Sequence, residues 1–369
     1  MAKGQSIEQL VGQCLIVGFE GTEMSSGLQT LLARMQPAGV ILFARNITSA
    51  EQTYHFLQDC RASVSTPLFT CVDMEGGRVD RLKNAIAPAP AAADVFATGD
   101  PRMFRKHGSV IGNSCRMLGC NTDLAPVLDL AFEASTKVMG SRAASADPAK
   151  VVRYAREFLA GLRSAGVLGC GKHFPGLGEA NLDTHHELPE IKKSFEKMWE
   201  QDMRPYRAMR RELPMVLVGH ASYPTVTKGG TPASLSKKWI TDILRKKIAY
   251  RGLVLSDDLE MGGVLQAASI GQAAVEHIRA GGDLALICHL EENVTQAYEA
   301  MLKEAARNRK FRDRIAESAR RVLRFKKACT ELRRRIPAPS RPKLERLSRR
   351  LWEFSEQVRL EALQREEIA

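Results

Sequence analysis

The chain has 369 residues, 44% hydrophobic and 26% charged, the composition of a folded globular protein rather than a disordered one. No apolar run approaches the ~20 residues of a membrane span, and the opening MAKGQSIEQLVGQCLIVGFEG has no apolar signal core or small-residue cleavage site. A cytoplasmic protein without a membrane span is therefore expected.

The net charge of +12 is uneven. Residues 301–350 hold nineteen Lys and Arg against five Asp and Glu, a local +14 that leaves the rest of the chain near −2. Few aromatic residues are interleaved with this basic stretch, so a solvated helical face is expected and no nucleic-acid partner. The eight cysteines (Cys14, Cys60, Cys71, Cys115, Cys120, Cys170, Cys288, Cys329) show no CxxC pair or zinc spacing. They read as reduced, buried thiols, with no metal and no cofactor expected.

In chain order, apolar runs rich in β-branched residues begin at 14–19, 39–43 and 68–73. An amphipathic helix over 101–118 precedes the run 121–128. The next helix, 148–165, is announced by Asp147-Pro148 as cap and first-turn proline and precedes the run 167–172. Helix 194–211 leads to the run 215–220. Helix 236–249, with Ser236 placed to cap it, leads to 253–257. Helix 264–280, stopped by Gly281-Gly282, leads to 284–289. Near-continuous apolar character is what a parallel strand covered on both faces requires.

Eight such strands alternating with helices predict an α/β fold, a (β/α)8 TIM-type barrel with extra C-terminal helices. A doubly wound open sheet is the alternative, and periodicity does not separate the two. No GxGxxG follows the first run, which weakens a dinucleotide-binding sheet. Polar residues also gather at the C-terminal ends of the runs (Asp73, Asp129, Lys172-His173, His220, Asp257), where a barrel would turn them into one mouth. Beyond residue 327, Pro337, Pro339 and Pro342 demand a loop, and 343–369 reads as one charged helix. The expected division is a catalytic barrel over 1–330 and a basic linker with a charged C-terminal helix over 331–369.

Four segments carry chemistry. Lys172-His173-Phe174-Pro175-Gly176-Leu177-Gly178 starts at a strand end and continues as a Gly/Pro-punctuated loop, with Lys172 and His173 suited to bind sugar hydroxyls. Further along the loop, Asp183 stands two residues before His185, close enough to orient its imidazole for proton transfer. Ser256-Asp257-Asp258-Leu259-Glu260 ends an apolar strand with a carboxylate that is costly to bury unless a site uses it. Asp257 is thus a candidate nucleophile, with Asp258 and Glu260 capping the following turn. Asp73-Met74-Glu75-Gly76-Gly77-Arg78 and Met139-Gly140-Ser141-Arg142 complete the set.

Together these segments resemble the bacterial β-N-acetylglucosaminidases of glycoside hydrolase family 3, single-domain enzymes of peptidoglycan recycling. The resemblance spans roughly residues 5–328: GVILFARNI (39–47), VDMEGGRVDR (72–81), LAPVLDL (124–130), KHFPG with a following D-T-H (172–185), PASLS (232–236) and SDDLEM (256–261). It implies a retaining hydrolase without cofactor, with Asp257 as nucleophile, His185 as acid/base and Asp183 as its paired carboxylate. It also implies that Asp73, Arg81, Arg142, Lys172 and His173 hold the N-acetylglucosamine ring, and that the substrates are N-acetylglucosamine-containing saccharides such as muropeptide fragments. Leu177 stands where many members have a histidine, and Thr184 where they have serine. Rival readings are a phosphorylase using the same residues, a β-glucosidase of the broader family, a Schiff-base aldolase using Lys172, and an inactive sugar-binding homologue.

Overall fold

The structure, a computed structural model, describes residues 6–179, 188–227 and 229–366. In chain order the strands are β1 (Leu15–Val17), β2 (Gly39–Leu42), β3 (Phe69–Val72), β4 (Met74–Gly76), β5 (Val79–Asp80), β6 (Thr122–Asp123), β7 (Leu168–Phe174), β8 (Met215–Val218), β9 (Leu253–Asp258) and β10 (Leu284–Ile287). Eight of them close into a barrel in the order β1-β2-β3-β6-β7-β8-β9-β10, and every neighbouring pair is parallel. Closure comes from β10 lying against β1, with Leu15 beside Ala285 and Val17 beside Ile287. The remaining two, β4 and β5, form an antiparallel hairpin.

Each of the eight apolar runs supplies one barrel strand, and their unbroken burial has a packing reason. One set of alternate side chains, including Ile16, Ile41, Cys71, Cys170, Leu217, Leu255 and Leu286, fills the barrel interior. The other set, including Val17, Val40, Val72, Val216, Val254 and Ile287, meets the surrounding helices. Neither face sees water, so neither alternates with polar residues.

The helix Pro148–Ala165 forms as expected. Asp147 Oδ1 accepts from Ala149 N at 2.7 Å, and Gly166 stops the helix at φ 79°. Three other expected helices differ. The stretch 194–211 is two short helices, Phe195–Glu200 and Arg204–Met209, because Pro205 has no N–H to continue the ladder. The stretch 264–280 is also divided, into Gly262–Leu265 and Ile270–Ala280, with Ser269 Oγ accepting from Gln272 N to start the second. Helix Lys238–Lys247 is wide, with i→i+5 hydrogen bonds, and no side chain caps its N-terminus, so Ser236 does not act as the expected cap.

The basic helix Arg309–Ala328 closes the N-terminal end of the barrel. Val322 and Phe325 pack onto the interior cluster, and Ser318 Oγ donates to Gly282 O at 2.9 Å. Its charge is only partly a solvated face: Arg314 and Arg321 turn inward, with Arg245, onto the fully buried carboxylate of Asp283. The helix Arg341–Glu366 buries Leu347, Leu351, Phe354 and Val358 against Ala92–Ala97 and Pro101–Met117. All eight cysteines are buried and free. Among the described residues no helix is long and apolar enough to cross a membrane.

Candidate active site

At the C-terminal ends of the strands lies a cavity of about 500 Å³. Asp73, Arg81, Arg142, Lys172, His173 and Asp257 all line it, so six of the eight residues singled out in the sequence meet at one mouth. Asp183 and His185 lie outside the described residues.

The hairpin of β4 and β5 builds one wall. Its turn needs Gly76 and Gly77, at φ 86° and 58°, and a Cβ on Gly76 would fall 2.2 Å from Pro90 O. This turn sends Glu75 inward and brings Arg81 back beside Asp73, with Arg81 Nη2 at 3.8 Å from Asp73 Oδ2. Glu75 is buried and grips two cations. Arg142 donates to it in a two-pronged contact, Nε to Oε2 at 2.7 Å and Nη2 to Oε1 at 2.8 Å, and Lys172 Nζ stands 2.6 Å from Oε1. Lys172 also pairs with Asp73. Burial alone would push the Glu75 carboxyl up, but Arg142 and Lys172 pull harder and hold it well below the usual carboxylate range. Burial likewise works against the Lys172 ammonium, and Asp73 and Glu75 outweigh it and push its pKa up.

A second carboxylate, Asp129, fixes His173. Its Oδ2 accepts from the His173 N–H at 3.0 Å and from Nδ1 at 2.7 Å, while Oδ1 accepts from Leu177 N at 2.6 Å. With Nδ1 donating, Nε2 is left to accept from Arg142 Nη2 at 3.4 Å. The result is a wall of fixed donors and acceptors, the equipment for holding a polyhydroxylated ring.

Asp257 stands across the cavity near the end of β9, its Oδ1 accepting from Asp258 N at 3.0 Å. Burial raises its pKa, but the polar groups that face it, the Asp258 N–H and the Lys172 ammonium among them, outweigh burial and bring it below the ordinary 3.8. The carboxylate is therefore ionised at neutral pH and faces the cavity, as a nucleophile must.

At the rim, His289 stacks on Phe43 at 5.4 Å, and its Nδ1 lies 3.1 Å from Asp258 and 3.5 Å from Glu260. These partners push its pKa to about 9. Glu260 does not cap the following turn as expected. It accepts from Cys288 N at 2.7 Å, Leu290 N at 3.1 Å and Asn293 Nδ2 at 2.6 Å, clasping the end of β10 to the next helix. Asp258 does cap the turn, with Oδ1 accepting from Glu260 N at 3.0 Å.

Residues 6–325 match the family model of the glycosyl hydrolase family 3 N terminal domain. The chain belongs to glycoside hydrolase family 3. It is 32% identical over 292 residues to a beta-hexosaminidase of Idiomarina loihiensis, covering 78% of this chain and 87% of the relative. A beta-hexosaminidase of Alkalilimnicola ehrlichii is 37% identical over 287 residues, covering 76% and 82%. Among solved structures, the family 3 β-N-acetylglucosaminidase from Paenibacillus sp. str. FPU-7 superposes with a TM-score of 0.87 at 30% identity, covering 95% of this chain and 69% of that one.

Within this family 3 site, sequence reasoning gave Glu75 no role of its own and placed Asp129 at the mouth without pairing it to His173. Both were visible as letters, Glu75 inside DMEGGR and Asp129 just after the apolar run 121–128. The signal that could have found them is charge balance: Lys172 and Arg142, once taken as buried, require a carboxylate between them.

Proposed function

We propose that this family 3 glycoside hydrolase is a retaining β-N-acetylglucosaminidase acting on terminal β-linked N-acetylglucosamine, in the cytoplasm and on peptidoglycan fragments. The observation that carries the reading is the position of Asp257, ionised and opposite the Asp73–Arg81–Arg142–Lys172–His173 wall across a single cavity.

In the first step an Asp257 oxygen attacks the anomeric carbon, and the bond to the bridging oxygen breaks. His185, oriented by Asp183, gives its proton to that oxygen. In the second step the same imidazole takes a proton from water as water displaces Asp257, and two inversions give net retention. A neutral histidine in this role avoids the like-charge repulsion that a second carboxylate would impose on an anionic substrate. Before the segment that bears Asp183 and His185, Leu177 lines the cavity wall and Glu179 pairs with Lys193 at 3.1 Å.

The test is hydrolysis of a chromogenic β-N-acetylglucosaminide and of a GlcNAc-anhydromuramyl disaccharide, each with and without inorganic phosphate. Asp257→Ala is expected to lower kcat by at least ~10³-fold and His185→Ala by roughly 10²–10⁴-fold, with folding unchanged. Substantial turnover by Asp257→Ala would remove it from the nucleophile role. A glycosyl phosphate product formed only in phosphate would replace hydrolysis with phosphorolysis.

A further inference from the structure

His220 and the PASLS segment (232–236) sit behind the nucleophile, and among the described residues neither lines the cavity. His220 follows β8 and is fully buried. Its Nε2 is 2.8 Å from the Asp258 carbonyl oxygen, and its Nδ1 is 2.7 Å from Ser234 Oγ. A carbonyl only accepts, so the proton resides on Nε2 and the Ser234 hydroxyl donates to Nδ1. The ring is thereby fixed as one neutral tautomer, and burial, which pulls its pKa below the ordinary value, agrees.

The support has its own support. Ser234 N donates to Gly219 O at 3.1 Å, and its carbonyl accepts from Nδ1 of the fully buried His277 at 2.8 Å. On the opposite side of β9, Leu259 N donates to Leu286 O at 3.0 Å. The peptide between Asp258 and Leu259 is thus held at both polar groups, its carbonyl by His220 and its N–H by β10. One peptide earlier, the Asp258 N–H holds the Asp257 carboxylate itself at 3.0 Å. The line of contacts from Ser234 through His220 and the Asp258 backbone therefore ends on the carboxylate that faces the cavity.

We infer that His220 is a positioning residue for the nucleophile: held by the Ser234 hydroxyl, it pins the Asp258 carbonyl and so sets the aim of Asp257. This rests on the reading of Asp257 as nucleophile. Its consequence is kinetic. A small displacement of a reacting group costs rate out of proportion to binding, on the order of 10²-fold for about 1 Å.

His220→Leu, which removes both polar contacts, is therefore expected to lower kcat about 10²-fold while KM moves by less than about threefold. Trapping with a 5-fluorinated N-acetylglucosaminyl fluoride, followed by intact mass, should show a correspondingly slower covalent adduct. His220→Gln, which can offer an N–H to the carbonyl and an oxygen to Ser234, should recover roughly tenfold of the loss. Ser234→Ala frees the tautomer without disturbing the core and should lower kcat in the same sense. Wild-type kcat and adduct rate in Ser234→Ala and His220→Leu, or a loss confined to KM, overturn the inference. If His220→Leu does not fold, Ser234→Ala and His220→Gln decide on the same readouts. Asp257→Ala serves as control: if it is inactive, the His220 and Ser234 variants decide; if it is active, the nucleophile reading fails and this inference fails with it.

Discussion

Glu75 shows what a single buried charge does at this mouth. It is 3% exposed and stands between Arg142 and Lys172, so two cations share one carboxylate, with Asp73 also paired to Lys172. Removing the charge leaves buried cations under-compensated, which is strongly destabilising where a neutral replacement of all partners would not be. Glu75→Gln is expected to lose about 3 kcal/mol of unfolding free energy, read by urea denaturation at neutral pH. Because the folded value is depressed, this contribution is whole above the ordinary 4.5 and is lost progressively as pH falls from there through the lowered folded value. Asp257 follows the same sign: its pKa is lowered from 3.8, so protonation of this proposed nucleophile is not expected to limit the rate above about pH 4. The sequence exposed Asp257 through its place at the end of an apolar run. Glu75 gave no such signal, because its role arises only when residues 142 and 172 come beside it.

Among the elements, the helix Arg309–Ala328 departs most from what its composition suggests. Lys326 on this helix is 1% exposed, donates to Gln13 Oε1 at 2.9 Å and lies 5.2 Å from the centre of the Phe69 ring. Burial lowers its pKa from 10.5 to about 7. The unfolded chain then holds more protons than the folded one between those two values. Stability accordingly rises with pH across that window, and the penalty is full below it, on the order of 4 kcal/mol near pH 7. Lys326→Met is expected to raise the unfolding midpoint at pH 7 and to flatten the rise in stability between pH 7 and 10, measured by urea titrations at several pH values. A charge count cannot separate such an inward lysine from its solvated neighbours, since helical spacing alone does not say which neighbour covers which face. The broken stretch at 194–211 is different: Pro205 was legible, and its missing N–H suffices to explain the interruption.

For the whole molecule, closure is what makes a site. Asp73, Arg142, Lys172 and Asp257 come from segments far apart in the chain, and they share one cavity only because β10 returns to β1 and turns every strand end the same way. A ligand filling that cavity bridges several strands at once and binds only the folded chain. N-acetylglucosamine at a hundred times its Kd is expected to stabilise the protein by about 2.7 kcal/mol, seen as a rise in Tm that Asp73→Asn diminishes at equal sugar concentration. An unchanged Tm with the sugar present, together with activity in the hydrolysis assay, would place the binding energy elsewhere.

The sequence alone determined the eight strands and, through the polar residues at their ends, favoured a barrel with most of its mouth over an open sheet. Each of those depends on a local property: continuous apolar runs for strands buried on both faces, and polar residues at their ends. What only the tertiary structure decided is which charges answer which, from Glu75 under Lys172 and Arg142 and Asp129 behind His173 to Asp283 gathering three arginines and His220 on the Asp258 carbonyl. Electrostatic partnership acts through space over a few ångströms, and no pattern in the order of residues encodes a distance of that kind until the barrel has closed.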